Sequence, residues 1–191
     1  MDAFSVRTKI MIGGGMDALA QRLHRVFLVT DKFMAESGKT NYVTDRLLRS
    51  GGEFKIFSDV QADPDIATVT RGVEQILEFQ PDAVVAFGGG SAIDAAKAIR
   101  AVAKETLHID TDRWECFAVP TTSGTGSEVT DYAVITDRAK GIKYPLDSQA
   151  LRPPVAILDP ELTVSAPASV TADAGMDVLT HALEAYVSRG A

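Results

Sequence analysis

The sequence of 191 residues contains one cysteine, one tryptophan and three histidines. A single cysteine, Cys116, excludes an intrachain disulfide and therefore a small secreted scaffold held by disulfides. No apolar run approaches the roughly 18 residues that a membrane-spanning helix requires. The amino-terminal stretch lacks a small-residue cleavage pattern and so does not resemble a signal peptide. These absences favour a soluble cytoplasmic protein with no membrane partner.

Positive charge is also scarce, because Lys and Arg total 19 against 26 Asp and Glu, a net charge of −7. An acidic chain does not attract phosphate backbones over long range, so nucleic acid is not expected as a partner. Hydrophobic residues make up 46% and charged residues 24%, which excludes a wholly disordered, collagen-like or coiled-coil chain. The length predicts one domain, or one and part of another.

Short β-forming segments alternate with helical patterns along the chain. Short β-forming runs predict strands over 26–30, 53–57, 83–87, 116–119 and 155–158. Several of these runs are apolar throughout, which is typical of parallel strands covered on both faces. Apolar residues at spacings of three and four predict helices over 65–79 and 91–103, the second capped by Ser91. This alternation predicts an α/β fold with a doubly wound parallel sheet.

A third helical pattern extends from about 171 to 188, after the proline-marked stretch 153–167. This stretch is the best candidate for a boundary. We therefore predict two parts, a nucleotide-binding domain over 1–170 and the beginning of a second domain over 171–191.

Three glycines, Gly88, Gly89 and Gly90, join a predicted strand to the helix that opens at Ser91. Glycine lets the backbone approach a ligand closely, and the free amides and dipole of a helix start favour an anion. The pattern fits a diphosphate site, and it equally fits a tight turn that needs positive φ. It is not the G-x-G-x-x-G fingerprint of the Rossmann fold.

A second loop, 120–128, carries several hydroxyls and two glycines between the next predicted strand and a predicted helix. Hydroxyls and amides in a concave turn can bond phosphate, ribose or a carboxamide, whereas the alternative is a solvated Ser/Thr-rich loop. Both loops follow the carboxyl ends of predicted parallel strands, where ligands of open α/β sheets bind.

Four further residues could bind a cofactor or a metal, or could have only an ordinary structural role. Asp31 ends a predicted strand, where it could bind ribose hydroxyls and repel a 2′-phosphate, or simply cap the next helix. Asp177 and His181 share a helical face and could share Fe(II), Zn or Mn, or form a surface pair. Lys143 is either a loop cation near phosphate or a surface lysine.

Four motifs together resemble the iron-containing (group III) alcohol dehydrogenases, in that family's order and spacing. They are GGGSAIDAAKA (88–98), PTTSGTGSEVT (120–130), AILDPELT (156–163) and GMDVLTHALEAYVS (175–188). The resemblance covers essentially the whole chain. GIKYPL (141–146) and the final helix are most similar to the 1-propanol dehydrogenases of propanediol-degrading operons.

This resemblance implies a Rossmann-like NAD-binding domain followed by the first helix of an all-α metal-binding domain. It implies reversible hydride transfer between a short primary alcohol such as 1-propanol and its aldehyde, with NAD and Fe(II), or alternatively Zn, as cofactors. No catalytic residue beyond the metal ligands is implied. Asp31 would select NAD over NADP, and Asp177 and His181 would be two metal ligands. The remaining cofactor residues that it implies are Gly88, Gly89, Gly90, Ser91, Asp94, Thr121, Thr122, Thr125 and Lys143.

Members of that family are about twice as long, and their two other histidine ligands lie in a further helical domain. We therefore expect this polypeptide to be an amino-terminal part with half a metal site, inactive alone. The parent is expected to be a cytoplasmic homodimer or larger oligomer, with a bacterial microcompartment as the alternative location. Two other functions stay open, a nucleotide-binding or assembly module without turnover and a lyase or synthase related to dehydroquinate synthase.

Overall fold

A computed structural model describes residues 6–189 of the chain. Its strands are β1 (Lys9–Ile12), β2 (Arg25–Asp31), β3 (Glu53–Val60), β4 (Ala83–Gly88), β5 (Glu115–Pro120), β6 (Tyr132–Asp137), β7 (Ile142–Asp147) and β8 (Val155–Leu158). Its helices are α1 (Gly15–Ala20), α2 (Lys32–Glu36), α3 (Asn41–Arg49), α4 (Ile66–Phe79), α5 (Gly90–Glu105) and α6 (Ala168–Val187).

Six strands form a parallel sheet in the order β1-β8-β5-β4-β2-β3, and β6 and β7 form a separate antiparallel pair. The chain moves outward from β2 to β3 and then returns to the other side of β2 with β4. This reversal of strand order is a topological switch point, where open α/β sheets bind ligands. The predicted α/β fold with a doubly wound parallel sheet is confirmed.

The core lies on both faces of the sheet, and all six residues of β4 are buried. On one face Phe27, Val84 and Ile99 belong to a cluster that joins β2 and β4 to α4 and α5. On the other face Leu28 and Val85 belong to a cluster that includes residues of α1 and α3. Because alternate side chains enter opposite layers, the central strands are apolar throughout.

All five predicted strands and three predicted helices are present, with two corrections. Ser91 does not cap α5, because the helix already begins at Gly90 and its N-cap is Gly89. The helix predicted after the second loop is wrong, since only a short 3₁₀ turn forms at Ser127–Val129 before the chain extends into β6. The run of aromatic and β-branched residues from Tyr132 favours a strand there.

The final helix, α6, begins at Ala168, a little before the predicted start. Met176, Leu179 and Leu183 on this helix are each at least half exposed. None of the helices in residues 6–189 combines the length and apolar character needed to cross a membrane.

Candidate functional site

A cavity of about 720 Å³ lies at the carboxyl edge of the sheet, over the switch point. Its inner wall consists of residues that end or follow β2, β3, β4 and β5, and its outer wall consists of α6 and the segment before it. The sequence-predicted residues among its lining are Asp31, Gly89, Gly90, Ser91, Thr121, Thr122, Thr125 and Asp177. The fold therefore brings together most of the residues that the motifs singled out.

The first loop places the start of α5 against the cavity with no side chain in between. Gly89 is the N-cap of α5 and supplies no side-chain cap, so the amides of Gly90 and Ser91 keep free donors, while that of Ala92 bonds to the carbonyl of Gly89. Gly88 has a φ of +150°, and a Cβ there would lie 2.8 Å from the Cβ of Ala92. Both observations fit a helix start that binds an anion. The tight turn with positive φ, which the sequence left as the alternative, is also present at Gly88.

The second loop packs directly on the first. A Cβ on Gly89 would lie 3.3 Å from Oγ1 of Thr122, and a Cβ on Gly90 would lie 3.1 Å from Cγ2 of Thr125. The amide of Thr121 donates to the carbonyl of Gly88 at 2.9 Å. Glycine is thus needed here because the two loops touch through backbone and threonine side chains.

The hydroxyl of Thr121 is buried and has no hydrogen-bond partner in the part of the chain that the structure describes. Thr121 also lines the cavity. A buried polar group normally has a partner, so this hydroxyl fits a site whose ligand supplies one.

Asp31 serves as a cap and also lines the cavity. Its Oδ1 accepts from the amide of Met34 at 2.9 Å and so caps α2. Its Oδ2 lies on the side of Gly88, 3.6 Å from where a Cβ on that glycine would be. The plain interpretation of Asp31 is therefore confirmed, while its role beside ribose stays a prediction.

Helix α6 is held at the cavity by a contact between two backbones. Gly124 has a φ of +151°, and a Cβ there would lie 2.5 Å from the carbonyl oxygen of Ala174. Ala174 is the one buried residue of α6, all of which is described. This contact brings Asp177 to the cavity, and His181 Nε2 lies 3.5 Å from Asp177 Oδ1.

Asp177 and His181 offer one oxygen and one nitrogen donor, a set that suits Fe(II) or Zn. Both side chains are well exposed. Within residues 6–189 no group of three or more His, Cys, Asp or Glu side chains could hold a metal ion together. The pair therefore fits part of a metal site, and a complete shell needs donors from elsewhere.

Three predicted cofactor residues, Gly88, Asp94 and Lys143, are not among those that line the cavity. The carboxylate of Asp94 accepts hydrogen bonds from the Ser127 hydroxyl and from the Val134 amide. Lys143 lies on β7, where its Nζ pairs with Asp63 at 2.7 Å. Direct contact of Asp94 and Lys143 with a cofactor stays a prediction.

The structure adds cavity residues that the motifs did not indicate, among them Phe33, Lys39 and Asp173. Lys39 Nζ lies 5.2 Å from the ring centroid of Phe33 and donates to the hydroxyl of Ser165. This hydrogen bond connects the inner and outer walls of the cavity. No local spacing signals it, because the two residues are far apart in the chain.

Lys97 is a buried lysine on α5, behind the second loop. Burial lowers its pKa from 10.5 to about 8, because the interior disfavours the charged form. Asp94 is the largest influence in the opposite direction, followed by Cys116, Glu128 and Asp131. The sequence motif contains this lysine, but nothing in its spacing indicated that it is buried.

With this geometry established, comparisons identify similar proteins. The family profile described as "Iron-containing alcohol dehydrogenase" matches residues 8–160. The 1-propanol dehydrogenase PduQ of Citrobacter freundii is 49% identical over 191 residues, covering 98% of this chain and 50% of the relative. PduQ of Salmonella typhimurium is 47% identical over 191 residues, with the same coverage. The chain thus spans about half the length of these relatives.

A similar solved structure is sulfoacetaldehyde reductase from Bifidobacterium kashiwanohense in complex with NAD+. It superposes with a TM-score of 0.85 at 36% identity, covering 100% of this chain and 54% of that one. These matches confirm the family resemblance found in the motifs.

The Gly124 contact yields a test of how α6 is held. In Gly124→Ala the new methyl group meets a backbone carbonyl, so we expect a loss of about 1–3 kcal/mol in the free energy of unfolding. Hydrogen exchange over 168–187 should become faster, because α6 must move away. Gly126→Ala is the control, since its φ of +65° is also positive but the space around it is open. If both variants loosen α6 equally, the contact is not what holds it.

Lys97 makes the free energy of unfolding depend on pH. Between about pH 8, its folded pKa, and 10.5, its ordinary value, the unfolded chain holds more protons, so raising the pH favours folding. This group alone contributes a rise of about 2 kcal/mol between about pH 7 and about pH 10. Urea unfolding should show the rise as a difference between the unaltered chain and Lys97→Met, because groups remote from Lys97 titrate equally in both. A difference that stays constant with pH would mean that Lys97 titrates in its ordinary range.

Proposed function

The chain belongs to the iron-containing alcohol dehydrogenase family, and from that premise we propose that it forms the cofactor-binding part of an NAD-dependent dehydrogenase. The proposed reaction is the reversible conversion of a short primary alcohol, such as 1-propanol, to its aldehyde. The observation that carries the proposal is one cavity in which a glycine turn, a threonine loop and Asp31 meet.

The parts of the cavity suit successive parts of a dinucleotide. The amides of Gly90 and Ser91 at the start of α5 would bind the diphosphate, since a helix start favours negative charge. The unpaired hydroxyl of Thr121 and the neighbouring Thr122 would donate to and accept from the cofactor. Asp31 would accept from the ribose hydroxyls at the end of β2.

The cavity also contains groups that would act on the rest of the cofactor. The exposed ring of Phe33 offers a face for stacking, and the adjacent ammonium of Lys39 offers a positive charge to an anionic ligand. Lys39 is bonded to a neutral hydroxyl and can exchange that partner for phosphate. When bound, NAD supplies the hydride acceptor, which no side chain of the protein can replace.

Asp177 and His181 would supply two ligands to Fe(II), with Zn as the alternative. When bound, the metal supplies Lewis acidity to the alcohol oxygen. The contact of Gly124 with Ala174 keeps this pair beside the nucleotide loops. The carboxylate and imidazole therefore stand next to the cavity in which hydride transfer would occur.

A second candidate is a nucleotide-binding or assembly module without turnover. It is favoured by one observation, that the described residues assemble no group of three metal donors. The similarity to PduQ favours a 1-propanol dehydrogenase over a module without turnover. We further propose that the parent acts in propanediol utilisation, in the cytoplasm or a bacterial microcompartment, as a homodimer or larger oligomer. The dehydrogenase requires NAD binding and, in the parent, turnover, whereas a nucleotide-binding module requires binding alone and an assembly module requires neither.

The preference of the chain for NAD(H) over NADP(H) tests the proposed cofactor site at Asp31. We expect NAD(H) to bind at least about tenfold more tightly than NADP(H), since a 2′-phosphate would lie beside the Asp31 carboxylate. Asp31→Asn should narrow this preference while an amide oxygen keeps the cap of α2, and Asp31→Gly should narrow it and loosen the cap. Calorimetric titration with both cofactors measures the effect. Equal affinities in the unaltered chain would remove Asp31 from cofactor selection, and no NAD binding would contradict the proposed function.

Metal analysis tests whether this chain carries a complete metal site by itself. The chain of 191 residues should retain little Fe(II) or Zn after dialysis, because two exposed donors form an incomplete shell. Weak zinc binding should disappear in His181→Ala and persist in the control His24→Ala, an exposed histidine remote from the cavity lining. No NADH should form from propanol and NAD with added Fe(II). Tightly bound stoichiometric metal together with turnover would contradict this expectation.

A further inference from the structure

Lys97 connects α5 to the second loop from behind the cavity. Its Nζ donates to Ser127 Oγ at 3.2 Å, to Thr130 Oγ1 at 3.3 Å and to the carbonyl of Tyr132 at 2.7 Å. The side chain is 2% exposed, so water does not compete for these donors. The acceptors lie at the end of the second loop, at Ser127, and in the residues that follow it, Thr130 and Tyr132. One ammonium group therefore fixes this stretch on α5.

Asp94 makes a parallel connection one turn earlier on the same helix. One carboxylate oxygen accepts from the hydroxyl of Ser127, and the other accepts from the amide of Val134 at 3.0 Å. Lys97 Nζ lies 3.9 Å from this carboxylate, so the two charges compensate each other in a poorly hydrated place. The acid thus attaches both the loop and the start of β6 to α5.

The attached stretch continues into the lining of the cavity. The amide of Ser127 donates to Oγ1 of Thr125 at 3.3 Å, and Thr125 in turn lies against Gly90. Ser127 therefore bonds to both charged residues and to a cavity residue. A shift of Ser127 must change the position of Thr125 relative to the helix start.

Burying the charge of a lysine costs desolvation free energy, which an apolar side chain of the same volume would not cost. Apolar side chains of similar volume often replace a whole buried ion pair at no loss of stability, whereas directed donors specify a geometry. A methionine at position 97 would fill the same volume and would leave the loop without its three bonds. The arrangement is therefore better explained by placement of the loop than by stability of the core.

We propose that Lys97 is a positioning residue for the cofactor, which holds the 127–132 stretch on α5 and thereby keeps the loop threonines facing the glycine turn. Asp94 acts with it and need not touch the cofactor. The inference rests on the proposed function, because it assumes that the cavity binds a dinucleotide. In this proposal Asp94 and Lys97 influence cofactor binding indirectly, through their hydrogen bonds to Ser127 and Thr130.

The test compares Lys97→Met with the unaltered chain, using NADH as the probe and calorimetry for its Kd. We expect NADH binding to weaken by about tenfold or more, the effect of losing bonds to a charged donor. Hydrogen exchange over 121–132 should become faster, with no change in β2 or β4. The stability to urea near neutral pH should fall, because the substitution leaves the Asp94 carboxylate without its counter-charge, so the change in NADH binding is read against a control that also loses stability.

Ile76→Val is the matched control, because Ile76 is a buried core residue on α4 outside this network. This variant should lose stability and keep the Kd for NADH within about twofold. Unchanged NADH binding in Lys97→Met overturns the proposal. If the control weakens binding as much, the effect is general destabilisation and the proposal is also overturned.

Two further measurements cover the cases in which the unaltered chain does not bind NADH or Lys97→Met does not fold. If the unaltered chain does not bind NADH, the proposed function fails, and exchange over 121–132 alone decides whether Lys97 holds the loop. If Lys97→Met does not fold, Thr130→Val removes a single acceptor and should weaken NADH binding by about threefold. An unchanged Kd in that variant overturns the proposal.

Discussion

The parallel register of β4 with its two neighbours determines where the whole site lies. Gly88 at the end of β4 is paired with Pro120 at the end of β5. On the other side the hydroxyl of Thr30 donates to the carbonyl of Phe87 at 2.7 Å, which ties the end of β2 to that of β4. Three strands therefore end at one level, and the segments that follow them open into one cavity. The glycine turns need this rigid edge, because glycine alone specifies no conformation.

The sequence predicted the elements whose burial follows from local pattern. Continuous apolar runs identified the central strands, since both of their faces are covered. It did not identify β1, which is mostly exposed and pairs with β8 far along the chain, from Lys9 to Val155. It also missed the pair of β6 and β7. Their pairing depends on tertiary contacts that no short window of sequence contains.

The residues of the candidate site also fall into those that short motifs predicted and those that only the fold revealed. The glycine turn, the threonine loop and the pair of Asp177 and His181 were visible because each is a short motif with a chemical meaning. Phe33, Lys39 and Asp173 reach the cavity only because the fold closes around it. Asp94 shows the reverse case, since its motif suggested cofactor contact and the structure places it behind the loop. Spacing along the chain does not distinguish these two positions.

The close approach of Gly124 to Ala174 has a consequence for how two ligands would influence each other. Because the backbones of the loop and of α6 touch with no side chain between them, a displacement of one is passed directly to the other. Any occupant that moves the loop must therefore move the helix that carries Asp177 and His181. Thermodynamic reciprocity then requires that occupancy at the helix alters affinity at the loop by the same factor. One missing Cβ would therefore make the proposed nucleotide and metal sites parts of a single coupled equilibrium.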